Sequence, residues 1–148
     1  MFLKNFSETL LFGKRFAKKL TPNSIVLLKG PIGSGKTSLV QGIAKGLNIS
    51  ENITSPTFAL AHHYNSGIIN LIHMDLYRLE DSHSAKELFL EEEEELQINQ
   101  GIMIIEWPEL IIPIIDSYWL IEISYAIKDG RNYKVQEPKI SKNLRTFE

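Results

Sequence analysis

The chain has 148 residues, 16 Lys and Arg against 18 Asp and Glu, and no cysteine. That length suits one domain with its own core, so residues 1–148 are expected to form a single unit, and 43% hydrophobic with 23% charged residues excludes wholesale disorder. The missing cysteine excludes disulfide frameworks, thiol nucleophiles and cysteine-held metal, and a net charge of −2 argues against a free-standing nucleic-acid binder.

The first residues contain no apolar leader and meet Glu8 early. Residues 6–20 carry apolar positions at helical spacing, with Lys14, Arg15, Lys18 and Lys19 mostly on the other face. Asn5 followed by Glu8 predicts a capping box at the start, and Thr21-Pro22-Asn23 a stop. Residues 24–29 predict a short buried strand, then a glycine-rich loop and a helix over about 36–47. A strand is expected over 68–74, ending at Asp75, and a polar, acidic helix over 80–97. Ile102 to Ile105 predicts a further strand ending at Glu106. Residues 118–127 and 133–135 flank Asp129-Gly130 as a hairpin. The stretch between Leu110 and Ile127 is broken by Pro113, Asp116 and Glu122, which excludes a membrane span, and Leu110 to Ile115 within it reads as core cover rather than a partner patch. Residues 139–148 carry no signal and are expected to fray. This order predicts an α/β fold with a mainly parallel sheet flanked by helices and an antiparallel edge hairpin, and together with the phosphate-loop motif at residues 30–37 it predicts the P-loop NTPase type.

Gly30-Pro31-Ile32-Gly33-Ser34-Gly35-Lys36-Thr37 matches G-x-x-x-x-G-K-[ST]. The glycines allow successive backbone N–H groups to curl around phosphate oxygens, and the following helix turns its N-terminus to the anion. Lys36 suits the β- and γ-phosphates, and the Thr37 hydroxyl suits magnesium. A chance match is the rival, but the preceding apolar strand and following helix are the context the motif requires. No Asn-Lys-x-Asp guanine signature occurs, which favours ATP over GTP. Asp75 and Glu106 each end a strand, where ligands of open α/β sheets bind, and either acid can serve metal and water. Glu91 to Glu95 reads as a solvated helix face, and His73 as either a packed core residue or a functional one.

Four further segments follow the phosphate loop: Ser55-Pro56-Thr57-Phe58, His73-Met74-Asp75-Leu76-Tyr77-Arg78-Leu79, Ile105-Glu106-Trp107-Pro108-Glu109, and Gly130-Arg131. In this order and spacing the chain resembles the TsaE family over roughly residues 5–135. That resemblance implies a cytoplasmic magnesium-dependent ATPase, slow alone, that supports tRNA threonylcarbamoyladenosine formation with the TsaD and TsaB proteins. It implies that tRNA is met through that complex, without a membrane. It implies Gly33, Ser34, Gly35, Lys36, Thr37, Ser38 and Arg131 as ATP-binding residues, with Phe6 and Thr9 bordering the base. Lys36, Asp75 and Glu106 are the implied catalytic set; Thr37, Asp75 and Glu106 the magnesium set; Thr54, Ser55, Pro56 and Thr57 a switch-like loop. Relative to the family's common loop, Pro31 replaces an acid, Ser34 an alanine and Ser38 a threonine, and Gln41 stands where arginine is common. The rival readings are a small P-loop kinase and a nucleotide-dependent binding module that needs no hydrolysis. Few arginines lie downstream of the loop (Arg78, Arg131, Arg145), which argues against a kinase lid.

Overall fold

The computed structural model describes residues 1–139; most of the expected fray (139–148) and Arg145 lie outside the described residues. The elements in chain order are β1 (Phe2–Leu3), α1 (Phe6–Ala17), β2 (Ile25–Lys29), α2 (Lys36–Gly46), β3 (Ala61–Tyr64), β4 (Leu71–Asp75), α3 (Ser82–Asn99), β5 (Ile102–Glu106), a 3-10 turn (Ile112–Ile114), β6 (Trp119–Tyr125) and β7 (Arg131–Gln136).

One seven-stranded sheet runs in the order β1-β7-β6-β2-β5-β4-β3. The inner strands β6, β2, β5 and β4 are parallel. The β6–β7 hairpin forms the expected antiparallel edge, extended by β1. The opposite edge is also antiparallel, because β3 pairs with β4 from Tyr64 against Leu71 to Ala61 against Met74. The sequence does not announce β3: Ala61-His62-His63-Tyr64 is short and lacks an apolar alternation. The overall class is thus the P-loop NTPase-like α/β arrangement, with two antiparallel edges rather than one.

The central strands β2 and β5 are buried on both faces, which is why each reads as a nearly continuous apolar run. Val26 and Leu28 point with Ile102, Ile104 and Leu71 into the core beneath α1 and α2. Ile25 and Leu27 point the other way, with Ile72, Met74, Met103 and Ile105, toward Ala85, Phe89 and Leu96 of α3. The apolar run after Glu109 covers this second core, with Ile111 fully buried and Leu110, Ile112 and Ile114 packed at its margin.

The helix ends show their local causes. The Asn5 side chain accepts from the Glu8 N–H at 3.0 Å, as a capping box requires. Glu8 closes the box one residue early, on the Lys4 N–H at 2.6 Å. The regular part of α1 stops at Ala17 rather than at residue 20. Lys18, Lys19 and Leu20 instead bond three residues back, a tightened final turn before Pro22. Asp81 caps α3 by accepting from the Ser84 hydroxyl and from the N–H groups of Ser84 and His83, and these bonds hold its carboxyl below the usual range. The acidic run on α3 is only partly solvated: Glu92 contacts His63 of β3 at 2.5 Å. Burial, together with Asp116, raises the Glu93 carboxyl.

Helices α1 and α2 cross at a glycine contact. A Cβ on Gly42 would stand 2.6 Å from the Leu10 carbonyl oxygen, so the close approach excludes any side chain there. This contact sets where the N-terminus of α1 sits against the phosphate loop.

Candidate nucleotide site

Strand β2 ends at Lys29, and the loop that follows turns back before α2. Gly33 and Gly35 have φ of +77° and +100°, a conformation that L side chains rarely adopt, so glycine is required at both. Gly35 is the N-cap of α2 and supplies no side chain to the free N–H groups of the first turn. The Lys36 ammonium donates to the carbonyls of Gly30 at 2.6 Å and Pro31 at 2.9 Å. It also lies 4.4 Å from the centroid of the Trp107 ring. Burial lowers the Lys36 pKa, against the opposing pull of Glu106, Asp75 and Glu109.

The loop divides one cleft into two lobes. The first, about 350 Å³, is lined by Phe6, Thr9, Gly33, Ser34, Gly35, Ser38, Asp129 and Arg131 among others. The N-terminus of α1 and the β6–β7 turn thus meet over the loop, although 120 residues of sequence separate Thr9 from Asp129. The Arg131 guanidinium donates to the carbonyls of Gly130 at 2.8 Å and Gly33 at 3.3 Å and stacks on Tyr125. Arg131 Nε and the Ser34 hydroxyl are buried beside this lobe without hydrogen-bond partners among the described residues. Such groups are open to a ligand's oxygens.

The second lobe, about 440 Å³, holds Lys36, Thr37, Ser55, Thr57, Asp75, Tyr77, Glu106 and Trp107 among others. Asp75 and Glu106 are register partners on β4 and β5, and both are buried. The Thr37 hydroxyl lies 3.4 and 3.5 Å from the two Glu106 oxygens. Asp75 accepts from the hydroxyls of Thr57 at 3.1 Å and Ser55 at 3.4 Å, and from the Tyr77 N–H at 2.9 Å. A hydroxyl and two buried carboxylates fit magnesium, a hard cation that takes few protein oxygens and fills its octahedron with water and phosphate.

The structure therefore gathers Gly33 to Ser38 with Phe6, Thr9 and Arg131 on one side, and with Asp75 and Glu106 on the other. Ser55 and Thr57 of the predicted switch-like loop reach the cleft. Thr54 and Pro56 are not among its lining residues: the Thr54 N–H donates to the Tyr64 hydroxyl, and the buried Pro56 offers its carbonyl to Leu60. Sequence reasoning passed over Tyr125, whose hydroxyl donates to the Ile32 carbonyl at 2.5 Å, and Tyr133, whose hydroxyl meets Thr9 Oγ1 at 3.4 Å. The one available signal was their position, aromatic residues on both sides of Gly130-Arg131. Trp107 has φ of +56°, packs at 4.9 Å on Tyr77 and covers Lys36. His73 sits behind Glu106, with Nε2 at 2.5 Å from Oε2.

Residues 3–133 match the family model described as threonylcarbamoyl adenosine biosynthesis protein TsaE. The chain is 38% identical over 138 residues to the tRNA threonylcarbamoyladenosine biosynthesis protein TsaE of Nostoc sp., covering 91% of this chain and 83% of that one. It is 38% identical over 129 residues to the protein of the same name from Rickettsia typhi, covering 86% of each. Among solved structures it is similar to Bacillus subtilis YdiB, with a TM-score of 0.73 and 29% identity over 90% of this chain and 80% of that chain.

Proposed function

The chain belongs to the TsaE family of tRNA threonylcarbamoyladenosine biosynthesis proteins, and from that premise we propose that it is the ATP-hydrolysing component of this machinery. The observation that carries the reading is the buried Asp75–Glu106 pair facing Lys36 and Thr37 across the mouth of the phosphate loop.

In this reading the adenine and ribose of ATP lie in the lobe between Phe6, Thr9 and Arg131. The phosphates lie on the N–H groups of Gly33 to Ser38, where helix α2 turns its positive end outward. Lys36 leaves the Gly30 and Pro31 carbonyls for the β- and γ-phosphate oxygens. Its lowered pKa reflects a desolvated ammonium that gains when an anion arrives. Thr37, Glu106 and Asp75 are the residues that would hold magnesium, which when bound would supply positive charge to offset that building on the transferred phosphoryl group. Glu106 orients the attacking water, and Asp75 fixes Ser55 and Thr57 at the γ-phosphate side. Trp107 covers Lys36 and keeps bulk water from the loop.

The chain is read as one domain that acts in the cytoplasm. Among the described residues no helix is long and apolar enough to cross a membrane. TsaD and TsaB are its proposed partners, and tRNA is met through them, in keeping with the net charge of −2. ATP turnover resets the complex between rounds of transfer. Phosphate release from magnesium-ATP, with and without the TsaB–TsaD pair and tRNA, tests this. Slow release alone and faster release with partners supports the proposal. Phosphate passing to a metabolite instead of water would favour the kinase rival.

A further inference from the structure

We propose that His73 is a positioning residue that holds the Glu106 carboxylate off Lys36 and turned toward Thr37. The proposal rests on the ATPase reading and adds a residue to it. Strand β4 pairs His73 with Ile104 and Asp75 with Glu106, so His73, Asp75 and Glu106 lie on one face of the sheet. His73 is completely buried, and its Nε2–H donates to Glu106 Oε2 at 2.5 Å. Its other nitrogen, Nδ1, is buried without a partner among the described residues. The neighbours on that face, Leu71, Ile102 and Ile104, are aliphatic. A residue needed only for packing would be aliphatic too and would leave no polar atom stranded.

Two other observations give the imidazole a task. Lys36 makes no ion pair with Glu106 among the described residues; its ammonium goes to the loop carbonyls instead. Thr37 reaches both Glu106 oxygens at nearly equal distance, so it does not fix the rotation of the carboxylate. His73 does, by engaging Oε2. Oε1 is left for the cleft, where a magnesium-bound or attacking water is to be held. Without the imidazole the carboxylate can swing to the lysine, costing the site both a phosphate-binding cation and an oriented base.

The test compares His73→Gln, which can place an amide N–H near the position of Nε2, with His73→Asn, too short to reach Glu106, and His73→Leu. ATP affinity is measured at equilibrium with and without magnesium, alongside kcat and KM. His73→Asn and His73→Leu should lower kcat, and raise the magnesium concentration for half-saturation, by about 10–100-fold, and should weaken metal-free ATP binding as well, because Glu106 then ties up Lys36. His73→Gln should restore most of both. If His73→Leu fails to fold, His73→Asn carries the comparison. Wild-type magnesium dependence in His73→Asn, or a loss in His73→Gln as deep as in His73→Asn, would overturn the proposal. In the nucleotide-free protein a slowly exchanging imidazole N–H resonance, lost in Glu106→Ala, is expected. That arm holds even if no ATP turnover is found, so the two readings fail separately; absence of the resonance in the wild type counts against His73.

Discussion

Asp75 and Glu106 stand opposite each other at the carboxyl ends of two adjacent parallel strands, both buried, with the Lys36 ammonium close enough to feel each charge. Two carboxylates so placed repel one another. Their other neighbours offset this: Ser55, Thr57 and the Tyr77 N–H at Asp75, and Thr37 and His73 at Glu106. The pair is the proposed cation site, and the consequences of that reading can be measured.

Lys36→Ala should abolish the thermal stabilisation that ATP gives. A ligand at 100 times its Kd stabilises by about 2.7 kcal/mol. For a chain of this size that is a rise in Tm on the order of 5–10 °C. The wild type should show such a shift in a melt with magnesium-ATP, and the variant none.

Tyr133→Phe should flatten the alkaline side of the stability curve. Burial raises the Tyr133 phenol, against weaker lowering by Thr9 and Arg131. The unfolded chain therefore loses this proton first, and stability present below the ordinary phenol range is lost as pH climbs through and above about 10. Melts from pH 8 to 11 should show the wild type falling more steeply than the variant.

Gly42→Ala should destabilise the protein and weaken nucleotide binding together. The added methyl meets the Leu10 carbonyl at 2.6 Å, and the backbone must give. Overpacking costs about 1–3 kcal/mol, partly offset by the roughly 1 kcal/mol that alanine gains over glycine in a helix. The displaced α1 carries Phe6 and Thr9 away from the first lobe. Denaturant unfolding should show a net loss, and titration should show weaker ATP binding.

Much of the site was legible because its chemistry is local. Gly30 to Thr37 is one contiguous loop, and the strands ending at Asp75 and Glu106 are apolar runs that punctuation and period reveal. What stayed hidden depends on pairing between distant segments. His73 could be read as core or function, and only the β4–β5 register brings it to Glu106. Tyr125 and Tyr133 gain meaning when the hairpin folds over Ile32 and Thr9. Strand β3 escaped because an edge strand of four residues needs no apolar alternation, and the left-handed backbone of Trp107 carries no sequence mark at all.

The sharpest test of hydrolysis as this chain's contribution compares the wild type with Glu106→Ala in a reconstituted reaction with TsaB, TsaD and tRNA. The measurement is modified adenosine formed per partner complex, with ATP binding to the variant established separately. The wild type should support many rounds. The variant, still binding ATP, should stop after about one, with its turnover down on the order of 10²–10³-fold. Equal yields over many rounds from the variant would contradict the account.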